Sequence, residues 1–578
     1  MVRDSVRLRP VERRRVSDAL VAALTERLAC PVLARVYAGR VEVSADLNYD
    51  LDRLLTPTKL SGIEAAAALL ERALREKTSI LIVGDYDADG ATSTAVAVRA
   101  LRVLGARVDY LIPNRLEYGY GLTPRIVALA RERSPGLLIT VDNGVASIEG
   151  VAAAKAAGMQ VLVTDHHLPG DELPDCDALV NPNVADDGFP SKHLAGVGVI
   201  FYVLLALRGR LRASGWFDAS GVAEPNMASL LPLVALGTVA DVARLDYNNR
   251  VLVQQGLRRI NASAAPPGLL ELLRVGDCDP ATATARDLAF VAGPRLNAAG
   301  RIAEMQVGVE CLLTDDPERA VDLAATLDEL NRERRRIESD MRARAEDILD
   351  AIAGLEVRDA VCVFDEDWHP GVIGILASRL KDRLRRPVIA FAPGDQDTVR
   401  GSARSIDGVH IRDAIEAVAN RSSGVVRAFG GHAMAAGLTL GRRDYARFCR
   451  LFELEVARRL AASGSQDVCL SDGSLARTEV SMELAERLSR GGPWGAGFPE
   501  PLFDDRCEVM EARIVGERHL KLRLRLDEAQ PPIDAIHFNY SGPIPARRTR
   551  VHAVYGLAVN EFNQQRAVQM TLEQLEIL

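Results

Sequence analysis

LIVGDYDADGATS, residues 81–93, places three carboxylates at every second position, between an apolar run and a glycine. The acids are Asp85, Asp87 and Asp89. Carboxylates packed this closely repel one another unless protons or a cation neutralise them. The stretch therefore predicts a strand, a loop and the start of a helix, with a cation site at the loop.

The same letters also open the calcium-loop pattern D-x-D-x-D-G-x5-E, which needs a glutamate at its twelfth position. Here that position is Val96, and the preceding apolar run is typical of a strand rather than a helix. The EF-hand interpretation therefore fails. A structural alternative stays open, in which the carboxylates cap the helix that begins at GATST, although one Asp would suffice for a cap. The amides of that helix start could also hold an anion near the cation.

Two further apolar strands end in an acid within the next ninety residues. LLITVDNG (137–144) carries Asp142, and MQVLVTDHH (159–167) carries Asp165. Helical stretches rich in small residues separate these strands, which is typical of βαβ units and a parallel sheet. Because the carboxyl ends of parallel strands share one edge of a sheet, we expect the three acidic stretches to converge.

Asp165 is followed directly by His166 and His167. A lone histidine is more often a satisfied core or surface residue than a ligand, but here two stand together at a strand end. Carboxylates with one imidazole and no thiolate suit Mn²⁺ or Mg²⁺ better than structural zinc. The surplus of carboxylates indicates two ions bridged by one acid, for which we choose Asp142 on a central strand. Asp241 ends an apolar helical run, and alone it would be an ordinary helix terminus.

Composition sets the outer bounds. A chain of 578 residues is too long for one core, so three or four domains are expected. The net charge of −8 excludes a protein that binds nucleic acid over its whole surface and leaves room for a local basic patch. The Arg-rich N-terminus lacks the apolar core of a signal peptide, which predicts a cytoplasmic protein with no membrane span. Eight cysteines without a C-x-x-C pair argue against a disulfide framework or a zinc ribbon.

The second half of the chain predicts two more folded parts. A charged helical pattern over 315–350 predicts one long helix between domains, or simply a solvated spacer. Strands alternate with helices again over about 355–462. A linker at 461–474 precedes five short strands that indicate a small barrel. FGGHAMAAG (429–437) would let a backbone approach a ligand closely, or would form a tight turn before a helix.

The chain resembles the DHH phosphoesterase superfamily through four motifs in the same order and at comparable separations: GDYDADG, VDNG, TDHH and GTVADV. Five more motifs extend the resemblance nearly end to end, to the bacterial RecJ family of single-strand-specific DNA exonucleases. They are PNR (113–115), GPRLNAAGR (293–301), WHPGVIGILASRL (368–380), GSARS (401–405) and FGGHAMAAG (429–437). Single motifs are weak, but the ordered set is specific.

The resemblance implies an α/β protein in which a parallel-sheet DHH domain is joined by a long helix to a second α/β domain, DHHA1, followed by a C-terminal β-barrel OB fold. The expected segments are an N-terminal helical and loop segment at 1–77, the DHH domain at 78–315, the connecting helix at 316–352, the DHHA1 domain at 353–463 and the OB fold at 470–578.

The resemblance also implies a site for two divalent cations, Mn²⁺ in preference to Mg²⁺. The ligands implied for the first are Asp87 and Asp142, with Asp85 close by. The ligands implied for the second are Asp89, Asp142, His166 and Asp241. His167 would face the phosphate, and Asp165 would support the histidine pair from behind.

Substrate contacts are implied in all three domains. Those outside the barrel are Arg115, Tyr120, Arg295, Arg379, Ser402, Arg404 and His432. Within this set, Arg115, Ser402 and Arg404 would bind a 5′ phosphate, a task suited to guanidinium groups. Tyr120 and Arg295 would narrow the entrance by stacking on bases or blocking a duplex. Those in the barrel are His519, Lys521 and Arg523, with Phe538 and Tyr540.

The implied activity is 5′-to-3′ hydrolysis of single-stranded DNA to mononucleotides by a two-metal mechanism, in DNA repair and recombination. The expected partners are a 5′-phosphorylated single strand, a single-strand-binding protein and a helicase, with the chain a monomer. Two rivals stay open. A DHH oligonucleotide or cyclic-dinucleotide hydrolase, or a pyrophosphatase, would share the metals without needing the barrel. A metal-dead scaffold would only hold single strands, and the complete acidic set disfavours it.

Overall fold

The computed structural model describes residues 8–351, 358–422, 424–463, 468–516, 518–528, 531–540, 542–562 and 565–578. The side chains of residues 115, 116, 350, 351, 462, 463 and 562 lie outside this description. The chain divides into two compact units. The first unit comprises Val41–Arg332 and Arg490–Glu500, and the second unit comprises Met1–Arg40, Glu333–Ser489 and Pro501–Leu578.

Helices and strands alternate through the first half of the chain. In order they are β1 (Val11–Arg13), α1 (Asp18–Leu28), α2 (Pro31–Ala38), α3 (Ile63–Glu76), β2 (Ser79–Gly84), α4 (Ala88–Val103), β3 (Arg107–Leu111), α5 (Arg115–Tyr118), α6 (Pro124–Arg131), β4 (Leu137–Val141), α7 (Ile148–Ala156), β5 (Gln160–Thr164) and β6 (Ala178–Val180). Mainly helices follow: α8 (Gly196–Ala213), α9 (Trp216–Ser220), α10 (Leu231–Ala240), α11 (Tyr247–Asn261), α12 (Pro267–Arg274), α13 (Ala285–Asp287), α14 (Gly293–Ile302), α15 (Gln306–Leu313) and α16 (Pro317–Ala351).

The core of the first unit is a five-stranded parallel sheet in the order β3-β2-β4-β5-β6. Strand β4 is central, as predicted for the strand that precedes Asp142. The register aligns Gly84 with Val141 and Val141 with Thr164. Asp85, Asp142 and Asp165 each follow the last aligned residue of their strand, so the predicted convergence at one sheet edge is confirmed.

Helix α16 runs for 35 residues, which confirms the long helix predicted from the charged pattern. Its residues up to Arg332 belong to the first unit, and those from Glu333 belong to the second. In the described part of the chain, no helix is both long enough and apolar enough to span a membrane.

The remaining elements belong mainly to the second unit. They are β7 (Val361–Phe364), α17 (Ile373–Leu384), β8 (Val388–Pro393), β9 (Thr398–Arg404), α18 (Ile411–Arg421), β10 (Val426–Gly431), β11 (Ala435–Gly441), α19 (Tyr445–Ser463), β12 (Cys469–Ser471), α20 (Met482–Arg490), β13 (Phe503–Val515), β14 (His519–Arg525), β15 (Ile533–His537), β16 (Arg550–Phe562) and β17 (Gln565–Ile577).

Two β-structures organise the second unit. A mixed sheet has the order β10-β11-β9-β8-β7, in which only β7 and β8 run parallel. Strands β13 to β17 close into a barrel, which confirms the predicted five-stranded barrel. FGGHAMAAG forms the hairpin between β10 and β11, so the alternative of a turn before a helix is wrong.

One short strand pair corrects the predicted linker. Strand β12 lies inside the 461–474 stretch and pairs in parallel with β1. Residues 464–467 of that stretch lie outside the described residues. The pairing joins segments more than 450 residues apart and involves three residues on each side, so local sequence patterns could not have indicated it.

Candidate metal and nucleic-acid site

Helix α4 begins on the first acidic stretch, and Asp87 is its capping residue. The Oδ1 atom of Asp87 accepts the N–H groups of Asp89 (2.9 Å) and Gly90 (3.0 Å). Asn297 Oδ1 accepts the N–H of Ala88 at 2.8 Å, and the Asp87 carbonyl accepts that of Ala91. The capping alternative is thus correct for one carboxylate. The prediction of an anion on these amides is wrong, because all four are already bonded within the chain.

Asp89 is almost completely buried and holds the start of helix α8. Its Oδ2 atom accepts the N–H of Gly196 at 2.6 Å, and its Oδ1 atom accepts that of Val197 at 3.0 Å. Burial and the charge of Asp87 nevertheless raise the pKa of Asp89 to about 7. The carboxylate is therefore held in place by two amides while its negative charge still lacks sufficient compensation.

Asp142 occupies the end of β4 in a left-handed conformation, with φ of 61° and 2% exposure. Among the described residues no donor makes a hydrogen bond of good geometry to its Oδ1 atom, although His166 Nε2 lies 3.1 Å away. Burial and the charges of Asp89, Asp87 and Asp85 raise the pKa of Asp142 well above its usual range. A buried, unbonded carboxylate oxygen among other acids is the place where a cation would remove the electrostatic cost.

The histidine pair is oriented from behind by Asp165. Its Oδ1 atom accepts the N–H groups of His166 (2.7 Å) and His167 (3.1 Å) and lies 2.7 Å from His167 Nδ1. Burial opposes a charged ring, but the hydrogen bond and the charge of Asp165 raise the pKa of His167 to about 9. Asn181 and Asn183 donate to the carbonyl oxygens of His167 and His166, at 2.8 and 2.6 Å.

Helix α10 delivers the last candidate ligand. Asp241 is its C-terminal cap, as the apolar run predicted. The Nε2 atom of His166 lies 3.1 Å from Asp142 Oδ1, 3.8 Å from Asp89 Oδ2 and 4.0 Å from Asp241 Oδ2. Burial and the charges of Asp89 and Asp87 raise the pKa of Asp241 well above its usual value.

Among the residues that the structure describes, three groups of side chains each bring ligand atoms within 4.8 Å of one another. They are Asp85, Asp87 and Asp142; Asp89, His166 and Asp241; and Asp142, His166 and His167. The donors are carboxylate oxygens and imidazole nitrogens without a thiolate, which fits Mn²⁺ or Mg²⁺. Asp142 is shared between groups, so it can bridge two cations. We call the seven residues together the acidic cluster.

Aromatic rings adjoin the acidic cluster. The hydroxyl of Tyr120 lies 3.2 Å from both ring nitrogens of His167, and the phenol ring is 49% exposed. Tyr86 makes an edge contact with Tyr120, at 6.3 Å between ring centroids. Sequence reasoning missed Tyr86, although its place between Asp85 and Asp87 was a usable signal.

Two other predicted contacts of the first unit have different outcomes. The side chain of Arg115 lies outside the described residues. Arg295 is buried, and its guanidinium contacts Asp328 Oδ1 at 2.8 and 3.0 Å and donates to the Val291 carbonyl. A guanidinium committed in this way is not available to stack on bases, so the structure does not support the predicted role at an entrance.

The predicted contacts of the mixed sheet lie in the second unit. Ser402 and Arg404 lie two positions apart on β9 and so share a face of the strand. Arg404 Nη1 donates to Ser402 Oγ at 3.1 Å. A Cβ atom at Gly374, near the start of α17, would lie 3.0 Å from Ser402 Oγ and from Arg404 Nη2. Arg379 instead pairs with Glu338 at 3.1 Å. The remaining residue of this set, His432, lies at the hairpin turn after β10.

The predicted barrel contacts lie on or beside β14, where acids partly neutralise them. Lys521 lies 4.0 Å from Asp534, and Arg523 lies 3.7 Å from the same carboxylate. The ring of His519 contacts that of Phe538 at 5.3 Å, and Phe538 is half exposed. Tyr540, also predicted, donates its hydroxyl to the Pro543 carbonyl. The face offers an exposed aromatic ring rather than a strong positive patch.

Comparisons with family models match three parts of the chain. The description "DHH family, N-terminal domain" matches residues 79–238, "DHHA1 domain" matches 357–457 and "RecJ OB domain" matches 471–574. These three parts carry the parallel sheet, the mixed sheet and the closed barrel described above.

Comparisons with whole proteins give a consistent picture. The chain is 48% identical to the single-stranded-DNA-specific exonuclease RecJ of Salmonella typhimurium, over 94% of this chain and 96% of that protein. It is 47% identical to the same exonuclease of Escherichia coli, over 94% and 96%. Among solved structures, RecJ of Thermus thermophilus in complex with Mn²⁺ matches with a TM-score of 0.81 at 31% identity, over 99% of this chain and 80% of that one. An exonuclease RecJ bound to manganese matches with a TM-score of 0.58 at 37% identity, over 70% and 96%.

Proposed function

The chain belongs to the RecJ family of single-stranded-DNA-specific exonucleases, and on that premise we propose that it hydrolyses single-stranded DNA from a 5′ end with two divalent cations. The observation that carries the proposal is the acidic cluster itself. Separate chain stretches supply five carboxylates and two imidazoles whose ligand atoms lie within 4.8 Å in overlapping groups. RecJ structures with Mn²⁺ and with Mg²⁺ support divalent cofactors of this kind.

Each residue of the cluster has a distinct task in this proposal. Asp85, Asp87 and Asp142 would hold one cation, and Asp89, Asp142, His166 and Asp241 would hold the other. Bound there, the cations would lower the pKa of a water molecule and neutralise charge on the attacked phosphate. Asp165 fixes the orientation of His167, whose charged ring would face a phosphate oxygen and stabilise its developing charge. Because the reaction needs only positioning and charge, no covalent nucleophile from the protein is required.

Recognition of a 5′ phosphate is the finer part of the proposal. Arg404 and Ser402 lie together beside the N-terminal turn of α17, an arrangement of guanidinium, hydroxyl and helix start that favours an anion. We propose that they bind the terminal phosphate, and that mononucleotides are released in DNA repair and recombination in the cytoplasm. The exposed rings of Tyr120 and Phe538 can stack on unpaired bases.

An end-labelling assay tests the proposal. Single strands, duplexes and dinucleotides, each with a 5′ phosphate or a 5′ hydroxyl, are incubated with the enzyme and Mn²⁺. We expect mononucleotides from phosphorylated single strands only, and none from a folded Asp142→Ala variant. Arg404→Ala should abolish the preference for the phosphate while leaving Mn²⁺ binding intact.

The same assay separates the rivals. Rapid turnover of dinucleotides but not of longer strands would indicate an oligonucleotide hydrolase. Strand binding without any turnover in Mn²⁺ would indicate a scaffold and would refute the proposed activity.

A further inference from the structure

Several helix ends in the first unit share one backbone arrangement. In the described part of this unit, six helices end with the same pair of hydrogen bonds. One residue donates its N–H to the carbonyl of the residue three positions earlier, and the next residue donates its N–H to the carbonyl of the residue five positions earlier. This is the Schellman arrangement, whose first donor adopts a left-handed conformation and is usually glycine. The left-handed residues at these six ends are Lys77, Gly105, Gly158, Val242, Ser263 and Asp277.

Val242 is the exception among these residues. Its φ is 58°, and it is the one β-branched residue at a positive φ in the described part of the chain. A β-branched side chain in this region crowds its own backbone, which makes it a true outlier. The side chain is 71% exposed, so little packing compensates for the strain. Glycine at this position would stabilise the free protein.

The position of Val242 connects this strain to the acidic cluster. Val242 directly follows Asp241, whose Oδ2 lies 4.0 Å from His166 Nε2. Consecutive Cα atoms are only about 3.8 Å apart, so the backbone of Val242 adjoins a candidate ligand of the cluster. Leu168, directly after His167, is also exposed, at 61%. Strain of this kind that persists beside a functional site suggests a role for the side chain in that site.

We propose that Val242 is a substrate-contacting residue, whose methyl groups pack against the sugar and base of the nucleotide bound at the acidic cluster. The inference rests on the proposed hydrolysis of DNA. Cations held by the carboxylates bind phosphate but offer no surface to the apolar face of a nucleoside. An exposed valine one residue from a ligand supplies that surface, and the contact would offset the conformational cost that the free protein bears.

Two variants at this position and one matched control test the proposal. Val242→Gly removes both the strain and the side chain, and Val242→Asn keeps the bulk but accepts the left-handed backbone without apolar contact. Lys77→Gly relieves the same motif at the end of α3, before the opposite end of β2. For each protein, thermal unfolding in EDTA, Mn²⁺ affinity by calorimetry, and KM and kcat on a 5′-phosphorylated single strand are measured.

We expect Val242→Gly and Lys77→Gly to raise the unfolding midpoint by about 2 °C. Both Val242 variants should raise KM about fivefold, the effect of losing an apolar contact of one or two methyl groups. Mn²⁺ affinity should stay at the wild-type value, because Asp241 keeps its place. Lys77→Gly should leave KM and Mn²⁺ affinity unchanged.

Three results would overturn the proposal. Wild-type KM in both Val242 variants would show that the side chain makes no contact. A raised KM in Val242→Gly but not in Val242→Asn would assign the effect to backbone freedom. Weaker Mn²⁺ binding in both variants would assign it to a displaced Asp241. A wild-type enzyme that binds Mn²⁺ but cleaves no DNA would instead refute the proposed function itself, a result that is recognised without any variant.

Discussion

Replacing Gly196 by alanine would disturb the acidic cluster through a single methyl group. Gly196 begins helix α8, and a Cβ atom there would lie 2.6 Å from Asp142 Cβ, 2.8 Å from its Oδ1 and 2.9 Å from its Cα. Non-bonded carbon atoms prefer separations of about 3.5 to 4.0 Å. One of the two residues must therefore move by about 1 Å to restore a normal contact. Both are held in place, because Gly196 N–H is bonded to Asp89 Oδ2 at 2.6 Å and Asp142 N–H is bonded to the Thr164 carbonyl at 3.0 Å.

The expected cost appears in catalysis more than in folding. A displacement of about 1 Å in a group that positions the reaction costs on the order of 100-fold in rate. Overpacking a buried site typically costs about 1 to 3 kcal/mol of folding free energy. We therefore expect Gly196→Ala to fold, to unfold at a lower temperature than the wild type, and to lose about two orders of magnitude in kcat together with affinity for Mn²⁺.

The same helix supplies a matched control. A Cβ atom at Gly209, also in α8, would meet no other atom within 4 Å. Gly209→Ala should therefore gain helix propensity, about 0.5 to 1 kcal/mol, and should leave hydrolysis unchanged. Both variants are compared by thermal unfolding, Mn²⁺ calorimetry and single-strand hydrolysis. If Gly196→Ala binds Mn²⁺ and cleaves DNA as the wild type does, the contact with Asp142 does not control the site and the reasoning is wrong.

Three further predictions concern charge. Asp142→Asn should abolish the rise in unfolding temperature that Mn²⁺ gives the wild type, since it removes the shared ligand, and an undiminished rise would exclude the bridging role. In EDTA, the free energy of unfolding should fall as pH rises from about 4 to about 7, so the fold becomes less stable. The reason is that folded Asp89 retains a proton that the unfolded chain releases near its ordinary pKa. Urea titrations across this range should give a flatter profile for Asp89→Asn, and an unchanged slope would contradict the assignment. Arg295→Lys should lower the free energy of unfolding by about 2 kcal/mol, because lysine keeps the charge but loses one of the two charged hydrogen bonds to Asp328. A variant of full stability that cleaves duplexes would restore the predicted role at an entrance.

Much of the parallel sheet could be predicted from three strands. β2, β4 and β5 are continuous apolar runs because helices cover both faces, and each run ends in an acid. The sequence pattern does not predict β3 or β6. β3 alternates charged with apolar residues, and β6 has only three residues. Both are edge strands, which are less buried and so need fewer apolar residues. The strands that carry ligands were therefore the ones most visible in the sequence.

The candidate ligands were predictable, whereas the residues that hold them, apart from Asp165, were not. Asp85, Asp142 and Asp165 share an edge because the strands are parallel and their last paired residues are aligned. The side chains of Asn181 and Asn183 donate to the backbone carbonyls of the two histidines, and Gly196 donates its N–H to Asp89. No local pattern marks such contacts. For Arg295, the sequence identifies the residue but not its role. Its motif was recognised, but its partner Asp328 lies 33 residues away, and the burial that pairs them depends on the tertiary structure.

The free energy of the acidic cluster links its cations to folding. Buried carboxylates with raised pKa values, and a left-handed Asp142 with an unbonded oxygen, each destabilise the metal-free fold. The parallel sheet must hold them together regardless, because its register places Asp85, Asp142 and Asp165 side by side whether or not a cation is bound. A cation at 100 times its Kd adds about 2.7 kcal/mol of stability, which is comparable to the cost of one buried polar atom without a hydrogen bond. The cluster is therefore a site where the demands of folding and of catalysis conflict until cations bind, and the first unit should depend on its cations for stability as well as for chemistry.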